Sequence, residues 1–327
     1  MSTSVARLLL LVPLAAACGS RTGLPVPGLD ANCPQRDDPW LVLDARGLQG
    51  GGTASLYAMR ADGTGGHAVH LPHAPAYFPS VSPSGTKLLY ATTYGDGGAA
   101  GGGPDSALYA YDLASRTEQL VVTTTGLTYS ALSPDGQNVA YVSDYTLRAV
   151  GFDGTNDHAL LAGPNGDGAG YGHPTFAADS RTVVYATGGA FGAIGLDGTG
   201  GRTLVSTSAT LLYPNVAFSP DYTQIAAGVL CDQASAMALV VYDYASLPAP
   251  CSRGQVLTQV TESSAFNGAN DPAWGPTGLL AYGSGSDVWV IPASGGTPVN
   301  VTQGLTGDGG TVTAAEPVWA PGCARIP

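Results

Sequence analysis

The side chains best placed to bind a ligand recur at one position of a sequence repeat. This position lies five residues before the anchor of the repeat, which is the residue, usually proline, where a short strand ends. It begins a predicted strand near one mouth of a central channel. The six residues are Phe78, Tyr129, His173, Asn215, Asp271 and Glu316. They form an aromatic arc and a polar or acidic arc, which suits a peptide or a small polar ligand. Asp271 and Glu316 come from consecutive repeats and add a negative field. Ordinary variation at the strand entry is the alternative interpretation.

Two other sets of polar residues are weaker candidates for metal binding. His67, His70 and His73 are spaced by three, which alternates the faces of a strand and predicts surface or loop positions without a shared metal. Asp153 and Asp157 flank a Gly-Thr-Asn segment. Calcium needs six or more oxygen ligands, and a tight turn explains these aspartates more simply.

The sequence contains no standard catalytic signature. His-Glu-x-x-His, Gly-x-Ser-x-Gly and the P-loop motif are absent. The glycine-rich run 95–103 has no following helix signal and predicts a flexible insert, and the run 163–172 predicts a loop between blades. The sequence therefore predicts a protein that is not an enzyme and that uses no cofactor or metal.

An internal repeat positions the candidate residues. Each copy ends a short strand at an anchor, usually proline, which is followed by Asp-Gly or a related turn. The spacing of the anchors is that of four-stranded propeller blades. The anchors are Pro83, Pro134, Ala178, Pro220, Pro276 and Pro321, so the steps are 51, 44, 42, 56 and 45 residues.

Each anchor is preceded by a period-two pattern. A bulky apolar residue stands two positions before it, between two smaller residues, which predicts a strand close to a central axis. These bulky residues are Val81, Leu132, Phe176, Phe218, Trp274 and Trp319. A second strand follows each turn, and hairpins supply the third and fourth strands. Several hairpin turns begin with Asp-Gly-Thr, as at Asp62, Asp153 and Asp197.

The two ends of the repeat array complement each other. Residues 41–45 resemble a second strand without its first, and residues 316–321 resemble a first strand without its second. The sequence therefore predicts an all-β fold, a six-bladed β-propeller of four-stranded blades over residues 39–323. The C-terminal strand is expected to join the N-terminal blade, which removes exposed sheet edges.

The chain has five cysteines, and the first of them, Cys18, belongs to the leader described next. The other four suggest disulfides in an exported protein. In the closed ring Cys323 ends the first strand of the shared blade and Cys33 precedes its second, so a Cys33–Cys323 bond would join the ring where the backbone is cut. Cys231–Cys251 then follows by elimination, and it requires the loop 245–253 to fold back.

Residues 1–17 have the features of an export signal. Arg7 precedes an apolar stretch over 8–17 that is too short to span a bilayer. The small residues before Cys18 resemble the bacterial lipoprotein signal, in which the cysteine is lipidated and becomes the first mature residue. An ordinary secretory signal with the same cleavage site is the alternative. The resemblance implies a lipid anchor, by default in the outer membrane facing the periplasm, with residues 18–38 as a tether.

Composition excludes other classes of partner. The 327 residues include 12 Lys and Arg against 24 Asp and Glu, which gives a net charge of −12. Lys87 is the only lysine and no basic run occurs, which argues against a nucleic-acid partner. No apolar run reaches the roughly 18–20 residues that a membrane-spanning helix needs.

The anchors resemble the Pro-x-Trp-Ser-Pro-Asp-Gly repeat of TolB-like propellers, which are relatives of WD-type repeats. Residues 129–136 read Tyr-Ser-Ala-Leu-Ser-Pro-Asp-Gly, and residues 214–221 read Pro-Asn-Val-Ala-Phe-Ser-Pro-Asp. The resemblance covers roughly residues 39–323 and implies a bacterial propeller. TolB itself is, by resemblance, a periplasmic protein with a separate N-terminal domain that binds partners. A tether and a lipid anchor are expected here in place of that domain.

These observations favour a non-enzymatic, lipid-anchored envelope protein that binds a protein or peptide through the propeller mouth. The alternative is a propeller enzyme of the polysaccharide lyase or lactonase type with a metal in the central channel. Some lyases with similar repeats use several histidines on inner strands, whereas only His173 stands at such a place here. A sugar- or ion-binding module is a third alternative.

Overall fold

The computed structural model describes residues 39–46, 55–92, 106–163, 171–187, 190–206, 215–229, 231, 237–260, 270–275, 277–307, 310–311, 313–320 and 326–327. Within these residues the helical structure consists of two short 3-10 helices, Tyr244–Ser246 and Cys251–Arg253. None of the helices described is long and apolar enough to cross a membrane. The leader with Cys18, the tether with Cys33, the glycine-rich run 95–103 and Cys323 lie outside the described residues.

The strands form six four-stranded antiparallel sheets, which confirms the predicted six-bladed propeller. The chain begins in blade 1 with β1 (Trp40–Arg46), β2 (Ser55–Arg60) and β3 (His67–Ala68). Blade 2 contains β4 (Ala76–Val81), β5 (Lys87–Thr92), β6 (Ser106–Asp112) and β7 (Glu118–Thr124). Blade 3 contains β8 (Leu127–Leu132), β9 (Asn138–Ser143), β10 (Thr146–Gly151) and β11 (His158–Leu161).

The remaining blades repeat this order. Blade 4 contains β12 (Thr175–Phe176), β13 (Thr182–Thr187), β14 (Ala190–Gly195) and β15 (Arg202–Ser206). Blade 5 contains β16 (Val216–Phe218), β17 (Gln224–Val229), β18 (Met237–Asp243) and β19 (Gln255–Val260). Blade 6 contains β20 (Asn270–Trp274), β21 (Leu279–Ser284), β22 (Asp287–Pro292) and β23 (Val299–Asn300). A small hairpin of β24 (Thr306–Gly307) and β25 (Gly310–Thr311) precedes the last strand, β26 (Thr313–Ala320).

The last strand closes the ring, as predicted. β26 pairs antiparallel with β1, so that Trp40 lies opposite Ala320 and Val42 opposite Val318. The Trp319 indole N–H donates a 3.0 Å hydrogen bond to the Ala273 carbonyl in blade 6. Blade 1 is therefore built from both ends of the described chain and is tied to its neighbour.

Hydrophobic clusters fill the spaces between neighbouring blades. Leu89 of blade 2 and Val139 of blade 3 belong to one such cluster, and Leu43 of blade 1 and Val290 of blade 6 belong to another. Burying each side chain of this size contributes roughly 1.5–3 kcal/mol. The apolar residues of the second and third strands therefore hold the ring together by packing blade against blade.

The Asp-Gly-Thr turns have the hairpin structure that the sequence predicts. In each turn the aspartate Oδ1 accepts bonds from the threonine N–H and hydroxyl, as between Asp62 and Thr64 at 2.9 and 2.7 Å. The glycines take positive φ, 82° at Gly63, 82° at Gly154 and 77° at Gly198. A Cβ atom on Gly63 would lie 2.7 Å from the Val301 carbonyl oxygen of blade 6. This turn therefore also needs glycine to fit against the preceding blade.

Cys231 and Cys251 form a disulfide in the structure, with their Cα atoms 5.6 Å apart. The loop that this pairing requires to fold back does so. Its Ala249 N–H donates to the Leu204 carbonyl of blade 4 at 3.0 Å, and the Tyr242 hydroxyl donates to the Cys251 carbonyl at 2.9 Å. The disulfide therefore anchors a segment that also bridges blades 4 and 5.

Candidate functional site

All six innermost strands contribute to one cavity on the propeller axis, with a volume of about 190 Å³. Four of the six predicted site residues, His173, Asn215, Asp271 and Glu316, lie in its wall. They come from four consecutive blades, 4, 5, 6 and 1. The structure thus brings the predicted polar arc together around a single small space.

The predicted aromatic arc has a different position. Phe78 and Tyr129 pack in the core between blades 2 and 3, with their ring centroids 5.2 Å apart, and neither belongs to the cavity lining. Phe78 is only 4% exposed. The Tyr129 ring also packs on the His173 imidazole, with centroids 3.9 Å apart. These aromatic residues therefore support the cavity wall through His173.

Hydrogen bonds continue this chain of contacts around the axis. Asn215 is 2% exposed, and its Oδ1 accepts a 2.6 Å bond from the His173 backbone N–H. Its Nδ2 donates to Oδ1 of Asp271. One amide side chain therefore links blades 4, 5 and 6 and fixes the orientation of the Asp271 carboxyl group.

Burial changes the charges expected in the cavity wall. It lowers the pKa of His173 to about 3, so the imidazole is neutral at physiological pH. It raises the pKa of Asp271 to about 7, so this carboxyl group carries a proton for much of the time at neutral pH. Glu316 is also buried, at 7% exposed. The polar arc therefore presents hydrogen-bonding groups with less negative charge than the sequence suggests.

Three buried polar atoms of the cavity wall have no hydrogen-bond partner among the described residues. They are Ser130 Oγ, His173 Nε2 and Trp274 Nε1. Ser130 is only 2% exposed. Leaving such a group unpaired costs roughly 1–3 kcal/mol. The wall is therefore suited to an occupant that hydrogen-bonds to these atoms.

Ser130 and Trp274 are not among the site residues that the repeat position predicts. Trp274 occupies the bulky position of its repeat, which was interpreted as structural. Ser130 stands where four of the repeats have a proline, namely Pro79, Pro174, Pro272 and Pro317. The replacement of proline by serine in one blade was the available signal, because this position lines the axial cavity.

The backbone at the entry of the innermost strand is strained in three blades. Phe78, Asp271 and Glu316 have φ of 51°, 49° and 54°, and each precedes a proline. In β4 and β20 the ladder register shifts at this point, between Tyr77 and Ser80 and between Asn270 and Ala273. Such conformations cost on the order of 1–3 kcal/mol each and cluster at binding sites.

The other candidate residues are separated in the structure. His67 contacts the Trp40 ring edge-on at 5.2 Å, whereas His73 pairs with Glu118 and stacks on Tyr109 in blade 2. His70 lies in the loop between them, where its backbone N–H donates to the Pro327 carbonyl at 3.1 Å.

The two candidate calcium ligands also serve separate purposes. Asp153 caps its own turn through the Thr155 N–H and hydroxyl, as the turn interpretation predicts. Asp157 instead accepts the Tyr141 hydroxyl at 2.8 Å and pairs with Arg148 at 3.0 Å. In the part of the chain that the structure describes, no group of three or more His, Cys, Asp or Glu is placed to hold a metal ion.

Comparison with known proteins gives matches of structure only. No family model matches the chain, and no curated protein does. TolB from Acinetobacter baumannii is 15% identical with a TM-score of 0.65, over 86% of this chain and 67% of that one. A structure of a nidogen/laminin complex is 12% identical with a TM-score of 0.62, over 86% and 98%. A putative TolB from Agrobacterium tumefaciens is 15% identical with a TM-score of 0.52, over 81% and 88%.

Structural matches at sequence identities this low establish the fold and leave the activity open. The match to two TolB structures agrees with the six blades and the closing strand described above. The chain is therefore a six-bladed β-propeller with a TolB-like fold.

Proposed function

We propose that this protein is a non-enzymatic binding scaffold of the bacterial envelope, held to the membrane by a lipid on Cys18. It binds a protein or peptide partner at the end of the propeller channel. The observation that carries the proposal is the set of unpartnered buried atoms around the axial cavity, Ser130 Oγ, His173 Nε2 and Trp274 Nε1. A partner group that enters the cavity would supply the hydrogen bonds that these atoms lack.

The size of the cavity favours one inserted side chain over a whole small molecule. Its volume of about 190 Å³ is below the roughly 300–1,000 Å³ that is usual for small-molecule sites. The wall offers the Trp274 N–H as a donor, the Ser130 hydroxyl as donor or acceptor, and carboxyl groups of Asp271 and Glu316. A polar side chain or a chain terminus of a partner fits this mixture.

The relatives in structure agree with a binding role. Two of them carry the name TolB, and a third was solved as a complex of nidogen with laminin. The leader and Cys18 favour export and lipid attachment, and the resemblance to the lipoprotein signal favours the outer membrane with the propeller in the periplasm. In this arrangement the tether lets the ring reach a partner near the membrane.

Cross-linking in intact envelopes, followed by purification of the protein, tests the binding site. We expect Ser130→Ala and Trp274→Phe to reduce the partner captured by the wild type at least severalfold. Both variants should stay folded, because each removes a polar atom that has no partner in the free protein. Asp62→Asn, in an exposed turn of the same kind, is the control. Full capture by both cavity variants would overturn the channel site.

A second experiment separates the anchor from the site. Cys18→Ser should move the protein from the membrane to the soluble fraction of the envelope and leave partner binding by the purified protein intact. Retention on the membrane would contradict the lipid anchor and would not bear on the binding site. Tightly bound stoichiometric metal in the purified wild type would instead favour the alternative of a propeller enzyme.

A further inference from the structure

The residue that follows the third strand of a blade occupies a recurring position in the ring. In blades 2 to 6 the residue after the third strand donates its backbone N–H to the carbonyl of the residue before the second strand of its own blade, as from Phe152 to Gln137 at 2.8 Å and from Leu196 to Arg181 at 2.7 Å. In blade 3 this residue also lies beside the first residue of the second strand of blade 2. These two residues are Phe152 and Lys87.

The Phe152–Lys87 pair is in close contact. The Lys87 ammonium group lies 5.2 Å from the centre of the Phe152 ring and 3.2 Å from an Asp112 carboxylate oxygen. The Gln119 side chain of blade 2 donates to the Phe152 carbonyl at 2.9 Å. Large side chains and their hydrogen bonds therefore occupy this inter-blade space.

The next inter-blade space has smaller residues at the same positions. Asn138 replaces Lys87 and Leu196 replaces Phe152, and both residues line a pocket of about 840 Å³ between blades 3 and 4. A side chain of the preceding blade still bonds to the backbone here, because the His158 ring donates to the Leu196 carbonyl at 2.9 Å. The volume of this pocket lies in the usual range for small-molecule sites.

The charged lining of this pocket is mostly positive. Arg181 and Arg202 lie in its wall. Asp197 is the acidic residue of the lining, and its Oδ1 is already bonded to the Thr199 N–H and hydroxyl at 3.0 and 2.8 Å. Two guanidinium groups at one pocket are notable in a chain of net charge −12.

The remaining lining divides into polar and apolar parts. Asn138, Asn156 and Thr182 offer side chains that bond to hydroxyl groups, whereas Ala149, Val150 and Ile194 are apolar. Arginine binds carboxylate and phosphate groups through its planar fork of N–H donors. We propose that the pocket between blades 3 and 4 binds a small hydroxylated molecule that carries a carboxylate or phosphate group.

Calorimetric titration of the full chain with D-galacturonate, inorganic phosphate and the neutral sugar D-galactose tests this site. We expect at least one anion to bind with a Kd of about 1 mM or tighter, and galactose to bind at least about tenfold more weakly. Stronger binding of galacturonate would identify a sugar acid as the ligand class, and stronger binding of phosphate would identify a phosphorylated one.

Variants of the lining decide whether the binding occurs in this pocket. Arg181→Gln and Arg202→Gln should each weaken the anion about tenfold or more, whereas Arg116→Gln in an exposed turn should not. Leu196→Phe should abolish binding by restoring the residue found in the preceding space. If Leu196→Phe does not fold, the arginine variants decide. No anion binding, or binding that both arginine variants leave unchanged, would overturn the proposal.

Discussion

The side-chain amide of Asn215 donates a hydrogen bond to Oδ1 of Asp271, and this bond joins the innermost strands of blades 5 and 6. Burial raises the pKa of Asp271 to about 7 from an ordinary value of 3.8. The folded state therefore holds a proton on Asp271 that the unfolded chain has released between these two pH values. Stability contributed by this group is full below pH 4 and decreases as the pH rises to about 7.

The variant Asp271→Asn should remove this decrease of stability with rising pH. The amide oxygen still accepts the bond from Asn215, and no charge has to be buried. We expect the free energy of unfolding to rise by roughly 2–4 kcal/mol at pH 8 and to change little at pH 4. Urea unfolding at pH 4, 6 and 8 measures this. Asp197→Asn is the control and should show no such gain, because hydrogen bonds from Thr199 lower the pKa of Asp197.

His173 should change the stability of the fold in the opposite direction over the acid pH range. Burial lowers its pKa to about 3 from an ordinary 6.5, so the unfolded chain binds a proton that the folded chain excludes. Stability is therefore lost as the pH falls below 6.5. His173→Gln should remove roughly 2 kcal/mol of the loss between pH 7 and pH 5. Tyr129→Phe, which keeps the packing on His173, should leave the loss unchanged. An unaltered slope in His173→Gln would contradict the assignment.

Gly63→Ala tests the contact between the first hairpin turn and blade 6. Its Cβ would meet the Val301 carbonyl oxygen at 2.7 Å, and φ is 82°. Gly295→Ala is the matched control, because φ is 88° there and no atom lies within 4 Å. Both variants pay about 1–2 kcal/mol for the backbone, and the clash should add about 1–3 kcal/mol in Gly63→Ala alone. Thermal or urea unfolding compares the two, and equal losses would show that the turn is not constrained by blade 6.

Trp319→Phe tests the closure of the ring. The substitution removes the N–H that bonds to the Ala273 carbonyl, so we expect a loss of about 1–3 kcal/mol in the free energy of unfolding. Trp289→Phe in blade 6 is the control, since its half-buried ring lies on a third strand away from the junction. A larger loss in the control would mean that the junction contributes no special stability.

The predicted Cys33–Cys323 bond lies outside the described residues and stays a prediction. Non-reducing peptide mapping of the mature protein should recover a peptide pair that contains these two cysteines. A link from Cys33 to Cys231 or Cys251 would contradict both this pairing and the disulfide seen in the structure.

The fold was predictable because each blade repeats the same local physics. The Pro-Asp-Gly turn and the alternation before it are encoded within a few residues, so six copies reveal the blades. Even the divergent copies keep the geometry, since Ser180 and Tyr222 take φ of 57° and 59° where other repeats have glycine. The closing strand was predictable because each end of the repeat array contains only part of a blade.

The site was predictable only in part, because a repeat position does not determine where its side chain goes. The strand entry borders both the axial cavity and the space between blades. His173 and Asn215 face the cavity, whereas the apolar ring of Phe78 gains more from burial in the inter-blade core. The pocket beside Leu196 depends on a residue of the preceding blade, Asn138, and such a cross-blade pair becomes visible only when the ring is assembled.

The position of β1 between β26 and β2 has a mechanical consequence. A pull on the chain before Trp40 acts along the β1 axis, so it loads two antiparallel ladders in shear. Many hydrogen bonds must then break together, whereas a free terminal strand would peel away one bond at a time. Tension that reaches the propeller through its N-terminus is therefore resisted by the blade in which the two ends of the chain meet.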